Sequence, residues 1–153
     1  MNMFVEVCGS RGKVTHVRLA SRPASGNAWY AIDTGAKKTD RALIDWLEAY
    51  AIKRTIPVPT DLLDFSDLTP FHRDLLGEIG QIPFGTTISY RDLAEKMGNK
   101  QAARAVGTGC KKNPYPLLIP CHRVIRSDGT IGEFLGGTQL KKELLAHEGV
   151  SPL

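Results

Sequence analysis

Cysteine is scarce in this chain of 153 residues. There are three, Cys8, Cys110 and Cys121, with no Cys-x-x-Cys and no paired spacing. An odd, unpaired set argues against a disulfide framework and against a four-cysteine zinc site, and it suits a reducing cytoplasm. No apolar run reaches membrane-spanning length, so no transmembrane segment and no membrane partner is expected. The first residues, Met-Asn-Met-Phe-Val-Glu-Val, lack a basic stretch followed by an apolar one, so no signal peptide is read. Repeats and low-complexity segments are also missing. With 42% hydrophobic and 24% charged residues, the composition is that of an ordinary globular chain.

One absence is local. From Lys100 to Arg126 there is no Asp or Glu, while Lys100, Arg104, Lys111, Lys112, Arg123 and Arg126 supply six positive charges. The total charge of +4 says little. Its placement suits either a polyanion such as nucleic acid or a solvated basic surface.

Against this background one stretch stands out. An apolar run, Leu117-Leu118-Ile119, leads into Pro120-Cys121-His122-Arg123, and Val124-Ile125 follow. An imidazolium or guanidinium nearby lowers a thiol's pKa, and the thiolate is the nucleophile. Cys121 is therefore the candidate reactive atom. Side chains of adjacent residues diverge, so His122 is better placed to act on the thiol through a bridging water. The imidazole then needs an acceptor to fix its tautomer; Glu148, with His147 beside it, is the candidate.

Secondary structure follows from periodicity and turn chemistry. Residues 4–8 and 13–19, separated by Gly9-Ser10-Arg11-Gly12, form a β-hairpin. Residues 28–32 form a third strand after the Pro23-Ala24-Ser25-Gly26 loop, and Cys8 is expected to be a buried small hydrophobe. Residues 39–52 form a helix, capped by Thr39 or Asp40. Proline-rich and acidic sequence then leads to a domain boundary, giving domains 1–68 and 69–153. Thr69-Pro70 starts a helix carrying Phe71, Leu75, Leu76 and Ile79. Ser89 caps another, closed by Gly98. After Asn99-Lys100, residues 101–112 form its partner in a helix-turn-helix. Residues 126–129 form a hairpin-type turn, residues 132–137 a flexible loop, and residues 139–148 a last helix with Leu140, Leu144 and Leu145 on one face.

The 101–112 helix also lacks something: long polar side chains. Ala102, Ala103, Ala105, Gly107, Thr108 and Gly109 are small, and Arg104 alone protrudes from the middle. Glycine inside a helix costs about 1 kcal/mol relative to alanine, so Gly107 and Gly109 suit either close approach by another backbone, from the protein or from DNA, or a tightly packed core helix with Arg104 facing solvent. A transcription factor reading bases would carry longer polar side chains here.

Several motifs together resemble the O6-alkylguanine-DNA alkyltransferases. They are Pro120-Cys121-His122-Arg123-Val124; Arg104-Ala105-Val106-Gly107 followed by Asn113-Pro114; Ile88-Ser89-Tyr90-x-x-Leu93-Ala94; Gly136-Gly137; and Leu144-Leu145-Ala146-His147-Glu148-Gly149. They run in the family's order over roughly residues 69–150. The first 68 residues resemble its variable N-terminal domain only in length and outline. The resemblance implies an α/β (α+β) fold, with a small RNase H-like sheet-plus-helix domain and a mostly helical, winged-helix-like domain. It implies a monomer without cofactor or metal that binds duplex DNA through the minor groove, flips an alkylated guanine out of the stack and takes its alkyl group once. In that reading Cys121 accepts the alkyl group, His122 deprotonates it through water with Glu148 behind, and Tyr90 donates to guanine N3. Arg104 fills the gap in the stack, Ala102, Ala103 and Gly107 admit the DNA backbone, and Arg123 contacts DNA. Asn113 holds the turn before the cysteine, and Val124, Phe134, Leu135 and Gly136 line the pocket, with backbone N–H groups near Val124 and Leu135 recognising O6. The family usually has Tyr at Phe134 and a different residue at Leu135, which bears on the range of alkyl groups, and Glu133 adds a negative charge near DNA. The alternatives are a lesion-binding sensor on the same scaffold, a helix-turn-helix regulator, and a cysteine hydrolase, which would turn over where a thioether cannot.

Overall fold

Alternation of apolar and polar residues gives the N-terminal sheet one dry face. In the computed structural model, which describes residues 2–22 and 26–152, β1 (Met3–Ser10) and β2 (Lys13–Ser21) pair antiparallel. β3 (Tyr30–Asp33) joins β1 in parallel, for a strand order β2-β1-β3. The third strand thus lies two residues later than expected at its start, and Pro23, Ala24 and Ser25 of the expected loop lie outside the described residues. Met3, Val5, Val7, Val14, Val17 and Leu19 are buried. Cys8 falls on the other face of β1 and is half-buried, not buried as expected, because alternation places it out of phase with Val5 and Val7.

α1 (Lys37–Ala51) adds Leu43, Trp46, Leu47 and Tyr50 to this core. It starts two residues before Thr39, so neither Thr39 nor Asp40 is its cap. Both side chains are engaged elsewhere. Thr39 Oγ1 donates to the Gly12 carbonyl (2.9 Å), and Asp40 Oδ1 accepts from the Thr34 amide (2.9 Å) and hydroxyl (2.6 Å). The chain forms two compact units, Met1–Asp67 and Leu68–Leu153.

The second unit is built from local signals that act where the sequence puts them. Thr69 Oγ1 accepts from the His72 amide (3.2 Å) at the start of α2 (Pro70–Ile79), whose Leu75, Leu76 and Ile79 are buried. Phe71, expected on that apolar face, is 42% exposed. β4 (Ile88–Ser89) leads into α3 (Tyr90–Lys96), with Ser89 Oγ accepting from the Asp92 amide (2.9 Å). Gly98, at φ 94°, then takes the left-handed conformation that ends the turn. A 3-10 turn, Lys100–Ala102, precedes α4 (Ala103–Lys111), so the expected single helix is tighter in its first turn. β5 (Val124–Ile125) pairs in parallel with β4. The following turn closes on itself through Arg126 N–H to the Thr130 carbonyl (2.9 Å) and does not join two strands. α5 (Thr138–His147) ends the unit, with Leu140, Leu144 and Leu145 buried. The mixed α/β class is as expected. Among the described residues no helix is long and apolar enough to cross a membrane.

Candidate active site

The apolar run before the cysteine sinks into the core: Leu117, Leu118 and Ile119 are all buried. Its backbone makes a tight bend in which Leu117 has φ 77°, a left-handed conformation that costs a side-chain-bearing residue about 1–2 kcal/mol. Asn113 clasps both sides of the bend. Its Oδ1 accepts from the Tyr115 amide and its Nδ2 donates to the Ile119 carbonyl, each at 2.9 Å, while the Ile119 amide donates to the Tyr115 carbonyl (2.8 Å). The bend delivers Cys121 to a 3-10 turn, Cys121–Arg123, where it is only 2% exposed.

His122 and Arg123 turn away from the thiol toward α5. The fully buried His122 donates from Nε2 to Glu148 Oε1 (2.8 Å), a tautomer assigned from the carboxylate partner. This leaves Nδ1 as an acceptor with no hydrogen-bond partner in the protein among the described residues. Arg123 is not a surface cation. It is 8% exposed, donates to both Glu148 oxygens (2.9 Å from Nε and from Nη2), gives Nη1 to the Ile82 carbonyl (2.6 Å), and lies 5.8 Å from the Phe84 ring centre. Its expected contact with DNA is therefore corrected: the guanidinium is consumed in holding Glu148. The Gly85 amide also donates to Glu148 (3.1 Å). Burial alone would raise the Glu148 carboxyl, but the hydrogen bonds and charges of His122 and Arg123 hold it well below the usual carboxylate range. Burial keeps His122 neutral, lowering its pKa against the pull of Glu148.

The thiol itself departs from expectation. Burial pushes Cys121 up to about 11, opposed by a hydrogen bond from Asn113 and by the charge of Lys141. His122 and Arg123 do not lower it, because Glu148 engages both.

Lys141 is the residue that sequence reasoning misses. Its ammonium is buried, with its pKa lowered by burial to about 8. It donates to the Val124 carbonyl (2.6 Å), the Glu133 carbonyl (3.3 Å) and the Tyr90 hydroxyl (3.3 Å), and lies 5.5 Å from the centre of the Tyr90 ring. Tyr90, at the first position of α3, is thus tied to the Cys121 segment. Burial raises its hydroxyl to about 12. The Val124 amide donates to the Cys121 carbonyl, so it is engaged within the turn and is not the expected donor to a ligand.

Beside Tyr90 opens a cleft of about 430 Å³, bounded on α4 by Ala103, Arg104 and Gly107 and across from it by Gly132 and Glu133. Arg104 is exposed, and Ala102 and Ala103 are half-buried. Phe134, Leu135 and Gly136 continue the loop but do not line this cleft. Leu135 is 50% exposed, and Gly136 packs where a Cβ would meet Leu140 Cδ1 at 2.6 Å.

The two helix glycines separate cleanly. A Cβ on Gly109 would meet Leu75 Cδ2 at 2.3 Å, so close packing of α2 accounts for it. A Cβ on Gly107 would only touch the Tyr90 ring at 3.9 Å. Gly109→Ala is therefore expected to lower stability by about 1–3 kcal/mol. Gly107→Ala is expected to raise it slightly, since alanine is about 1 kcal/mol better in a helix. Chemical denaturation of both variants checks this.

Residues 70–150 match the family model described as 6-O-methylguanine DNA methyltransferase, DNA binding domain. The chain belongs to this family. Among its relatives, the methylated-DNA–protein-cysteine methyltransferase of Mus musculus is 48% identical over 111 residues, covering 69% of this chain and 53% of that protein. The Cricetulus griseus protein of the same name is 37% identical over 161 residues, covering 95% and 77%. The matched part of this chain spans about half the length of the mouse and rat relatives. Among solved structures, Mycobacterium tuberculosis OGT in complex with DNA is similar with a TM-score of 0.72 at 28% identity, covering 95% of this chain and 92% of that one. The O6-methylguanine-DNA methyltransferase of Pyrococcus kodakaraensis gives 0.69 at 26% identity, covering 91% and 88%. Family membership thus agrees with the resemblance carried by the motifs around Cys121.

Proposed function

We propose that this chain repairs DNA by direct reversal, taking the alkyl group of an O6-alkylguanine in duplex DNA onto Cys121, once per chain. The observation that supports this best is the buried Cys121 turn backed by His122 and Glu148, joined through Lys141 to Tyr90, which lines a cleft walled by a small-residue helix. In this reading α4 enters the minor groove. Gly107, which no intramolecular contact requires, lets the DNA backbone approach, and Arg104 occupies the stack as the damaged guanine swings into the cleft.

The chemistry then uses groups already oriented. His122 Nδ1 takes the thiol proton through a water molecule, and the imidazolium is stabilised by Glu148. The Cys121 sulfur attacks the alkyl carbon, the carbon–O6 bond breaks, and its electron pair returns to the purine. Tyr90 donates its hydroxyl proton toward guanine N3, so that the purine leaves uncharged. The thiol pKa of about 11 keeps Cys121 protonated until the substrate is seated. The product is a thioether, which water does not hydrolyse, so the protein is consumed. Residues 69–153 carry DNA binding and transfer, and residues 1–68 support them. The chain works as a monomer without cofactor, and its free cysteines suit the cytoplasm.

Peptide mapping after incubation with an O6-methylguanine duplex tests the assignment: the methyl group is expected on the Cys121 peptide and nowhere else. Arg104→Ala is expected to slow repair of the duplex by about tenfold or more while sparing reaction with a free O6-alkylguanine base, because only the duplex must be unstacked at a cost of a few kcal/mol. Equal losses on both substrates count against the stack-filling role.

A further inference from the structure

Lys111, in the last turn of α4, forms an ion pair with Glu133 of the loop facing it, and both residues line the Tyr90 cleft. Glu133 is the only acid among the cleft's lining residues, opposite Arg104, Lys111 and Arg126. Its position is set by its own backbone. The Glu133 carbonyl accepts from Lys141 (3.3 Å), and the preceding Gly132 lies so close to Tyr90 that a Cβ there would meet the hydroxyl at 3.0 Å. The loop is pinned at this point, while the Lys111 and Glu133 side chains remain 55% and 61% exposed. The Glu133 carboxylate, carried on this pinned backbone, meets Lys111 of α4 and bridges the two sides of the mouth.

We propose that Glu133 and Lys111 form a charge latch across the mouth of the Tyr90 cleft, so that the chain favours an alkylguanine carried on a phosphodiester backbone over the free alkylated base. This rests on the alkyl-transfer reading above. A polyanion competes for Lys111 and repels Glu133, which opens the mouth as it binds; an uncharged base does neither. Exposed ion pairs are weak and screened by salt, so the latch sets a preference and not a block.

The test compares a free O6-benzylguanine base with an O6-methylguanine duplex, reading the Cys121 adduct by mass, for the unaltered protein and for Glu133→Gln. At low salt, Glu133→Gln is expected to react with the free base about two- to fivefold faster. High salt is expected to speed the unaltered protein to the same extent and to leave Glu133→Gln unmoved. At saturating duplex, where the polyanion has already opened the mouth, the gain of Glu133→Gln is expected to be smaller than with the free base. The latch is also read without substrate: reductive methylation of Lys111 is expected to be faster in Glu133→Gln. Adducts forming at equal rates with the free base, or equal Lys111 reactivity, overturn the latch and leave alkyl transfer standing. No Cys121 adduct from either substrate overturns both.

Discussion

Glu148→Ala is expected to cost about 3–5 kcal/mol of folding stability, the range for removing one partner from a buried charge pair. The reason is geometric. Glu148 accepts from Arg123, His122 and the Gly85 amide, and all three donors lie in the interior or at its edge. Without the carboxylate, the Arg123 guanidinium keeps only the Ile82 carbonyl and the Phe84 ring as described partners. For a chain of this size the loss corresponds to a fall in melting temperature on the order of 10 °C. The pH dependence has a defined sign. Glu148 and His122 both have lowered pKa values in the folded state, so the unfolded chain binds more protons as pH falls. Stability is present above about pH 6.5 and is lost first as His122 and then, below about 4.5, as Glu148 takes up protons in the unfolded chain. Thermal melts across that range check both points; a Glu148→Ala protein that melts like the parent contradicts the network.

Lys141→Met is expected to slow alkyl transfer by about tenfold, the effect of about 1.4 kcal/mol on the barrier. The ammonium lowers the Cys121 thiol, and it accepts no proton from Tyr90 but donates to it, which leaves the Tyr90 O–H free to point at the substrate. It also joins the Val124 and Glu133 carbonyls, one on each side of the site. Two effects on stability oppose each other, since a buried charge is removed while two carbonyls lose a donor, so rate is the informative readout. Lys141 loses its proton through about pH 8, whereas the thiol holds its own to about 11. The advantage of the parent over Lys141→Met is therefore expected to shrink as pH rises past 8. A constant ratio from pH 7 to 10 removes the electrostatic part of the role and leaves only positioning.

Lys141 also shows where sequence reading stops and why. It stands three and four positions before Leu144 and Leu145, on the same stripe of α5, so periodicity alone marks it as inward. Lysine in an amphipathic helix is usually solvated, and that general preference outweighs the spacing. Arg123 is misread for a different reason. Its partner Glu148 lies 25 residues away, and nothing local distinguishes a guanidinium that meets a carboxylate from one that meets a phosphate. By contrast, Thr69-Pro70 and Ser89 are legible because a cap is local chemistry: the hydroxyl needs only an amide three residues on. Thr39 and Asp40 have the same chemistry but are captured by the hairpin and by Thr34, a tertiary contact that overrides the local one. The small surface of α4 is legible as a demand for close approach, but its division is not. Only packing separates Gly109, which makes room for Leu75, from Gly107, which faces an open cleft.

The thiol is the sharpest difference. Adjacent to His and Arg in sequence, Cys121 reads as activated; in the fold those neighbours belong to Glu148 and the thiol is buried and raised. Burial holds the thiol protonated in the free protein, and in the proposed mechanism a seated substrate completes the site. That suits an atom used once.

The most direct test is therefore stoichiometric. Intact mass is recorded after the protein is incubated with a large excess of O6-methylguanine duplex, alongside a count of guanines restored. One added methyl per chain, with repair stopping at one guanine per chain, is the expected result. Continued repair by unmodified protein, or no mass change at all, contradicts a consumed Cys121.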